Sequence, residues 1–111
     1  MSDAIRHGDL VLLSGRAAVN PATGEVLAED FEGQAAIVID DVFAVLADAG
    51  SSPQDILRVE CWLADRSDLA AWNRVFVDRF PSPRPASTTL ITGLPLPGLL
   101  IEIQVTAAVS S

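Results

Sequence analysis

The chain contains no lysine and no tyrosine. Lysine Schiff-base chemistry and phenolic proton transfer are therefore outside its repertoire. It has one cysteine, Cys61, and one histidine, His7. A lone cysteine excludes an intramolecular disulfide and a thiolate metal cluster within one chain, and a lone histidine gives no basis for an imidazole site. No metal site within the chain is expected. Positive charge is scarce: seven arginines stand against fifteen acidic residues, for a formal net charge of −8. Nucleic-acid affinity rests on clustered cations, so no nucleic-acid partner is expected. No apolar run approaches the ~18 residues of a membrane span. The opening MSDAIRHGDL lacks an apolar core of signal-peptide length. These features point to a cytoplasmic protein with no membrane partner.

Half of the 111 residues are apolar, enough for a real core. The length suits a single domain over residues 1–111, and a chain this short gains from oligomerisation. DLVLLSG (9–15) reads as a strand with apolar residues on both faces. NPATGE is turn chemistry and leads to a short second strand around 25–28. Asp30 is a candidate helix N-cap. Phe31, Ala35, Val38, Val42, Leu46 and Ala49 then recur at helical spacing, and Gly50 supplies the stop. SSPQDI signals one short helical turn. ILRVECWLAD (56–65) alternates as a strand. SDLAAWNRVFVDRF reads as an amphipathic helix capped by Ser67, with Leu69, Trp72, Val75, Phe76 and Phe80 inward. Strands follow at 87–93 and 99–109.

The order is β-β-α-β-α-β-β, an α+β fold with two helices on one face of a mixed sheet. The doubly apolar first strand implies that the other face is buried against a second subunit.

Glu102 is the one charge in LPLPGLLIEIQVTAAV. Alternation places Leu99, Ile101, Ile103, Val105 and Ala107 toward the helices, and Glu102 on the opposite face. Periodicity alone leaves two settings open: a solvated rim, or a cleft between subunits whose low dielectric would suit proton transfer.

GDLVLLSGRAAVNPATGEV, WNRVFVDRF and LPLPGLLIEIQVTA together resemble the RidA/YjgF family of reactive-intermediate deaminases, over nearly the whole chain. The resemblance implies a chorismate-mutase-like fold and a homotrimer with small-molecule clefts at its interfaces. It implies hydrolysis of 2-imino or enamine acids to 2-keto acids and ammonia, without metal or cofactor. It makes Glu102 the group that positions water or moves protons, and puts Ser14 and Asn73 beside the ligand. Their plainer roles are a small residue before a glycine turn and a helix-to-loop hydrogen bonder.

The chain also departs from the family. Deaminating members carry an arginine in P-A-R-(T/S) that grips the substrate carboxylate. Here the segment is Arg84-Pro85-Ala86-Ser87-Thr88, and either Ser87 or Ala86 stands at that place. Arg84 and Arg16 are then the cationic candidates for substrate binding, unless both are surface arginines, and Ser87 can donate only a neutral hydrogen bond. The missing arginine implies an altered substrate for an imine or enamine deaminase. The competing reading is a non-catalytic ligand-binding or pathway-accessory trimer. Ribonuclease activity, a label attached to some relatives, is disfavoured by the acidic charge.

Overall fold

A computed structural model describes residues 1–111. The chain starts with a hairpin in which β1 (Ala4–His7) turns back into β2 (Leu10–Leu13). Gly8 makes the turn at φ +59°, a conformation that side-chain-bearing residues rarely adopt. A two-residue strand, β3 (Arg16–Ala17), follows, and then α1 (Phe31–Asp48). β4 (Ile56–Leu63), α2 (Leu69–Arg79), β5 (Ala86–Ile91) and β6 (Ile101–Ala108) complete the chain. The sheet order is β1-β2-β6-β4-β5, with β3 also pairing with β6. Only β4 and β5 run parallel. A parallel pair needs a crossover, and α2 supplies it.

Both helices lie on one face, and the core is the layer between. Val11, Leu13, Val59, Cys61, Leu63, Ile101, Ile103, Val105 and Ala107 point into it from the strands. Phe31, Ala35, Val38, Ile39, Val42 and Leu46 meet them from α1. α2 contributes Trp72, which packs with Phe76 and Phe80 and donates its indole N–H to the Thr89 hydroxyl at 3.2 Å. The indole is thereby buried with its polar atom satisfied.

Four expectations change. The N-terminal AIRH is a strand, and the short strand expected around 25–28 is only a Val19–Val26 bridge. Four residues without apolar alternation carry no strand signal; pairing with β2 makes β1. Ser67 does not cap α2. It lies in a 3-10 turn and donates its own N–H to Asp65 at 2.8 Å, and the helix starts two residues later. Leu69, at the first helical position, is consequently exposed rather than inward.

Gln34 is the largest buried polar side chain of α1. Its amide donates to the Ala28 and Gly98 carbonyls at 2.9 and 2.8 Å and accepts from the Leu100 N–H at 2.8 Å. One side chain thus ties two loops together just before β6 begins. Gln34→Leu would leave three backbone groups without partners. The expected loss is about 3 kcal/mol in urea unfolding. An unchanged midpoint would show that these groups find other partners.

Candidate functional site

The sheet face away from the helices is uncovered within one chain. Strand register assigns its side chains to rows. One row holds Ala17, Glu102, Trp62 and Leu90; the next holds Gln104, Glu60 and Thr88; a third holds Ile5, Leu12, Thr106, Arg58 and Ala86. Ile5, Leu12 and Leu90 are 54, 43 and 54% exposed, so the face is apolar with a few charges set in it.

Glu102 is half-buried on this face. Its carboxylate has no hydrogen-bond donor and no cation as a partner within the chain. Burial alone pushes its pKa up from the ordinary glutamate value, because desolvation disfavours the charged form. It lies against Gly15: a Cβ on that glycine would come within 2.5 Å of Oε2. Gly15 is therefore required for close approach to the carboxylate, not for an unusual backbone angle.

Ser14 immediately precedes that contact, but its hydroxyl is engaged. Oγ donates to the Ser2 carbonyl at 2.6 Å, and the Ser14 N–H donates to the Asp3 carbonyl at 3.0 Å. The N-terminal segment is laid over this serine, and a ligand using its O–H would have to replace Ser2.

The other sequence-derived candidates do not join Glu102 within one chain. Asn73 is exposed on α2, in the helix layer, with the sheet between it and Glu102. Ser87 pairs in register with buried Val59, so it points to the helix side; Ala86 is the residue on Glu102's face. Arg84 donates to the Val77 carbonyl at 2.8 Å near the end of α2. Arg16 is held by Asp41 at 2.6 Å and Asp3 at 2.7 Å. The hydrogen bond to Asp41 raises its pKa against the opposing effect of burial. Both arginines are consumed by the fold. Gly15 and Arg58 were absent from the sequence-derived set, and only the glycine after Ser14 offered a local signal. Burial pushes the Cys61 thiol up to about 12, which makes it an inert core residue. No helix is long and apolar enough to cross a membrane.

Two helices on one face of a mixed sheet, with a partnerless carboxylate on the other, define a class of small α+β proteins. Within that class the chain belongs to the RidA/YjgF family: the family model described as Endoribonuclease L-PSP matches residues 1–109. The crystal structure of RidA from the Antarctic bacterium Psychrobacter sp. PAMC 21119 superposes with a TM-score of 0.88 at 34% identity, over 97% of this chain and 87% of that one. A RutC family protein of Pyrococcus abyssi is 33% identical over 96% of this chain and 84% of its own. The chloroplastic Reactive Intermediate Deaminase A of Arabidopsis thaliana is 34% identical over 93% of this chain and 55% of its own.

The Gly15 contact separates site geometry from stability. The new methyl of Gly15→Ala meets the end of a flexible side chain. Urea stability should fall by less than about 1 kcal/mol, while a crystal structure should show the Glu102 carboxylate displaced. A carboxylate left in place would contradict the assigned contact. The raised pKa also has a definite sign in folding. Ionising Glu102 costs the folded chain, so its contribution falls as pH rises from the ordinary glutamate value through the folded one. Glu102→Gln should remove that part of the pH dependence of unfolding.

Proposed function

We propose that this protein hydrolyses an imine or enamine to a carbonyl compound and ammonia, in clefts between the subunits of a homotrimer. Glu102 carries the reading: a half-buried carboxylate with no partner in its own chain and a pKa raised by burial. The relative named Reactive Intermediate Deaminase A supports it. The uncovered face bearing Ile5, Leu10, Leu12 and Leu90 supports the assembly, because an apolar face of this kind needs a cover.

The chemistry needs a proton for nitrogen and a water molecule for carbon. Protonated Glu102 donates to the imine nitrogen. The resulting carboxylate then takes a proton from the water that adds to carbon, giving a carbinolamine. That proton is returned to nitrogen, ammonia leaves, and the hydroxyl proton goes back to the carboxylate as the carbonyl forms. An enamine enters the same sequence after protonation on carbon. Asn73 reaches such a cleft only from a neighbouring subunit, since the sheet separates it from Glu102 of its own chain.

The substrate differs from small 2-imino acids gripped at their carboxylate. The open-face position at the start of β5 is Ala86, which brings no charge. The engaged Ser14 hydroxyl favours a second reading, a trimer that binds its ligand without turning it over.

Light scattering should report about three times the 11.7 kDa chain mass. Turnover of 2-iminobutyrate, generated in situ by a threonine dehydratase, should be slow. Ser87→Arg, on the helix side, should not raise it. Glu102→Gln should keep the trimer and lower turnover of any imine the protein accepts by at least about 100-fold. The rate should also fall as pH rises through the elevated Glu102 pKa. A monomer, or an unaffected Glu102→Gln, overturns the proposal.

A further inference from the structure

Three of the seven arginines are engaged elsewhere in the fold, and three more stand away from the open sheet face. Arg16 is held by Asp41 and Asp3, Arg79 pairs with Asp40, and Arg84 donates to the Val77 carbonyl. Arg6 reaches from β1 to Gly50, just past α1. Arg66 and Arg74 belong to the helical segments. Arg58 is different. It stands on β4, on the open sheet face that carries Glu102, and makes neither a hydrogen bond nor an ion pair within the chain. Of the three arginines on strands it alone stands on that face, because Arg6 pairs in register with buried Val11 and Arg16 with buried Ile103.

Its surroundings leave room for a ligand. Ala86 and Thr106 flank it in register on the neighbouring strands, and both are small. Glu60 and Gln104 form the row between it and Glu102, and Trp62, paired with Glu102, offers an apolar floor. Glu60 shares the face two residues along but does not pair with Arg58. It disfavours an anion midway and leaves the Arg58 end as the place for one.

We propose that Arg58 binds the anionic group of the ligand whose reacting carbon is served by Glu102, and that this group is a carboxylate several bonds removed from that carbon. The proposal deepens the hydrolase reading and rests on it for the role of Glu102. Carboxylate is the matching chemistry: one guanidinium offers a planar bidentate pair, and no second cation stands beside it to neutralise a phosphate dianion. The separation follows from register. Arg58 pairs with Thr106 and Glu102 with Trp62, so the two positions are four residue steps, about 13 Å, apart along the strands. Their side chains cover part of that span. A 2-imino acid, whose carboxylate adjoins the reacting carbon, does not bridge the remainder, whereas a chain with a distal carboxylate does.

Two isomeric keto acids test this, because they differ only in where the carbonyl sits. Calorimetric titration of the wild-type assembly should show 4-oxopentanoate binding at least about 10-fold more tightly than 2-oxopentanoate. Arg58→Gln and Arg58→Met should each weaken 4-oxopentanoate binding by at least about 30-fold with the assembly mass unchanged. Glu102→Gln should keep that binding. Undetectable binding of 4-oxopentanoate, a preference for 2-oxopentanoate, or unchanged binding in the Arg58 variants overturns the proposal. So does loss of assembly in both variants, which would make Arg58 an ion-pairing residue between subunits. Because neither keto acid is turned over, the result is read separately from catalysis. If Glu102→Gln leaves imine turnover intact while the Arg58 variants lose binding, the hydrolase reading fails and the anion site stands.

Discussion

β6 is the constraint on which the remaining structure depends. It pairs with β2, β3 and β4, so the other strands take their register from it directly or through one neighbour. Its inward residues, Ile101, Ile103, Val105 and Ala107, are almost wholly buried under the helices. A shift of one residue would exchange them with Glu102, Gln104 and Thr106 and put a carboxylate into the core. The cost of burying that charge without a partner enforces the register. Gln34 adds a local clamp by holding the Leu100 N–H at the strand's entry. The position of Glu102 is thus a consequence of what holds the fold together.

The same economy governs the cations. Arg16, Arg79 and Arg84 find carboxylates or a carbonyl on the helix side and lock β3, α1 and the end of α2 in place. The open face keeps Arg58 and Glu102 apart and without partners. Charges left unpaired on an apolar surface are the groups with interaction capacity to spare for a ligand. The proposed assembly strengthens this, because covering the face lowers the dielectric around both groups.

Much of this was legible in the sequence, for identifiable reasons. The strict alternation of β6 placed Glu102 on the uncovered face. The Asp30 cap and the helical spacing from Phe31 gave α1, and the apolar residues on both sides of β2 implied a face needing a cover. What escaped depends on register or on distant contacts. β1 has too few apolar residues to announce itself without its hairpin partner. Ala86 and Ser87 could not be told apart after a proline-rich entry, because neither face of β5 has meaning until the strand is paired with β4. Arg58 reads as an ordinary alternating polar residue, and only the register beside Ala86 and Thr106 puts it on Glu102's face. The Gly15–Glu102 contact joins residues far apart in the chain. Arg16 and Arg84 looked available because their partners, Asp41 and the Val77 carbonyl, belong to elements whose packing the sequence does not display.

The central claim is that Glu102 is a desolvated carboxylate, held without a charge partner, that takes up its proton more readily than an ordinary one. Carbon-13 NMR titration of its carboxyl resonance, assigned by its loss in Glu102→Gln, measures this directly. A midpoint above the ordinary glutamate value is expected. A midpoint at or below that value would mean that the group is solvated or paired with a cation, and would contradict the account.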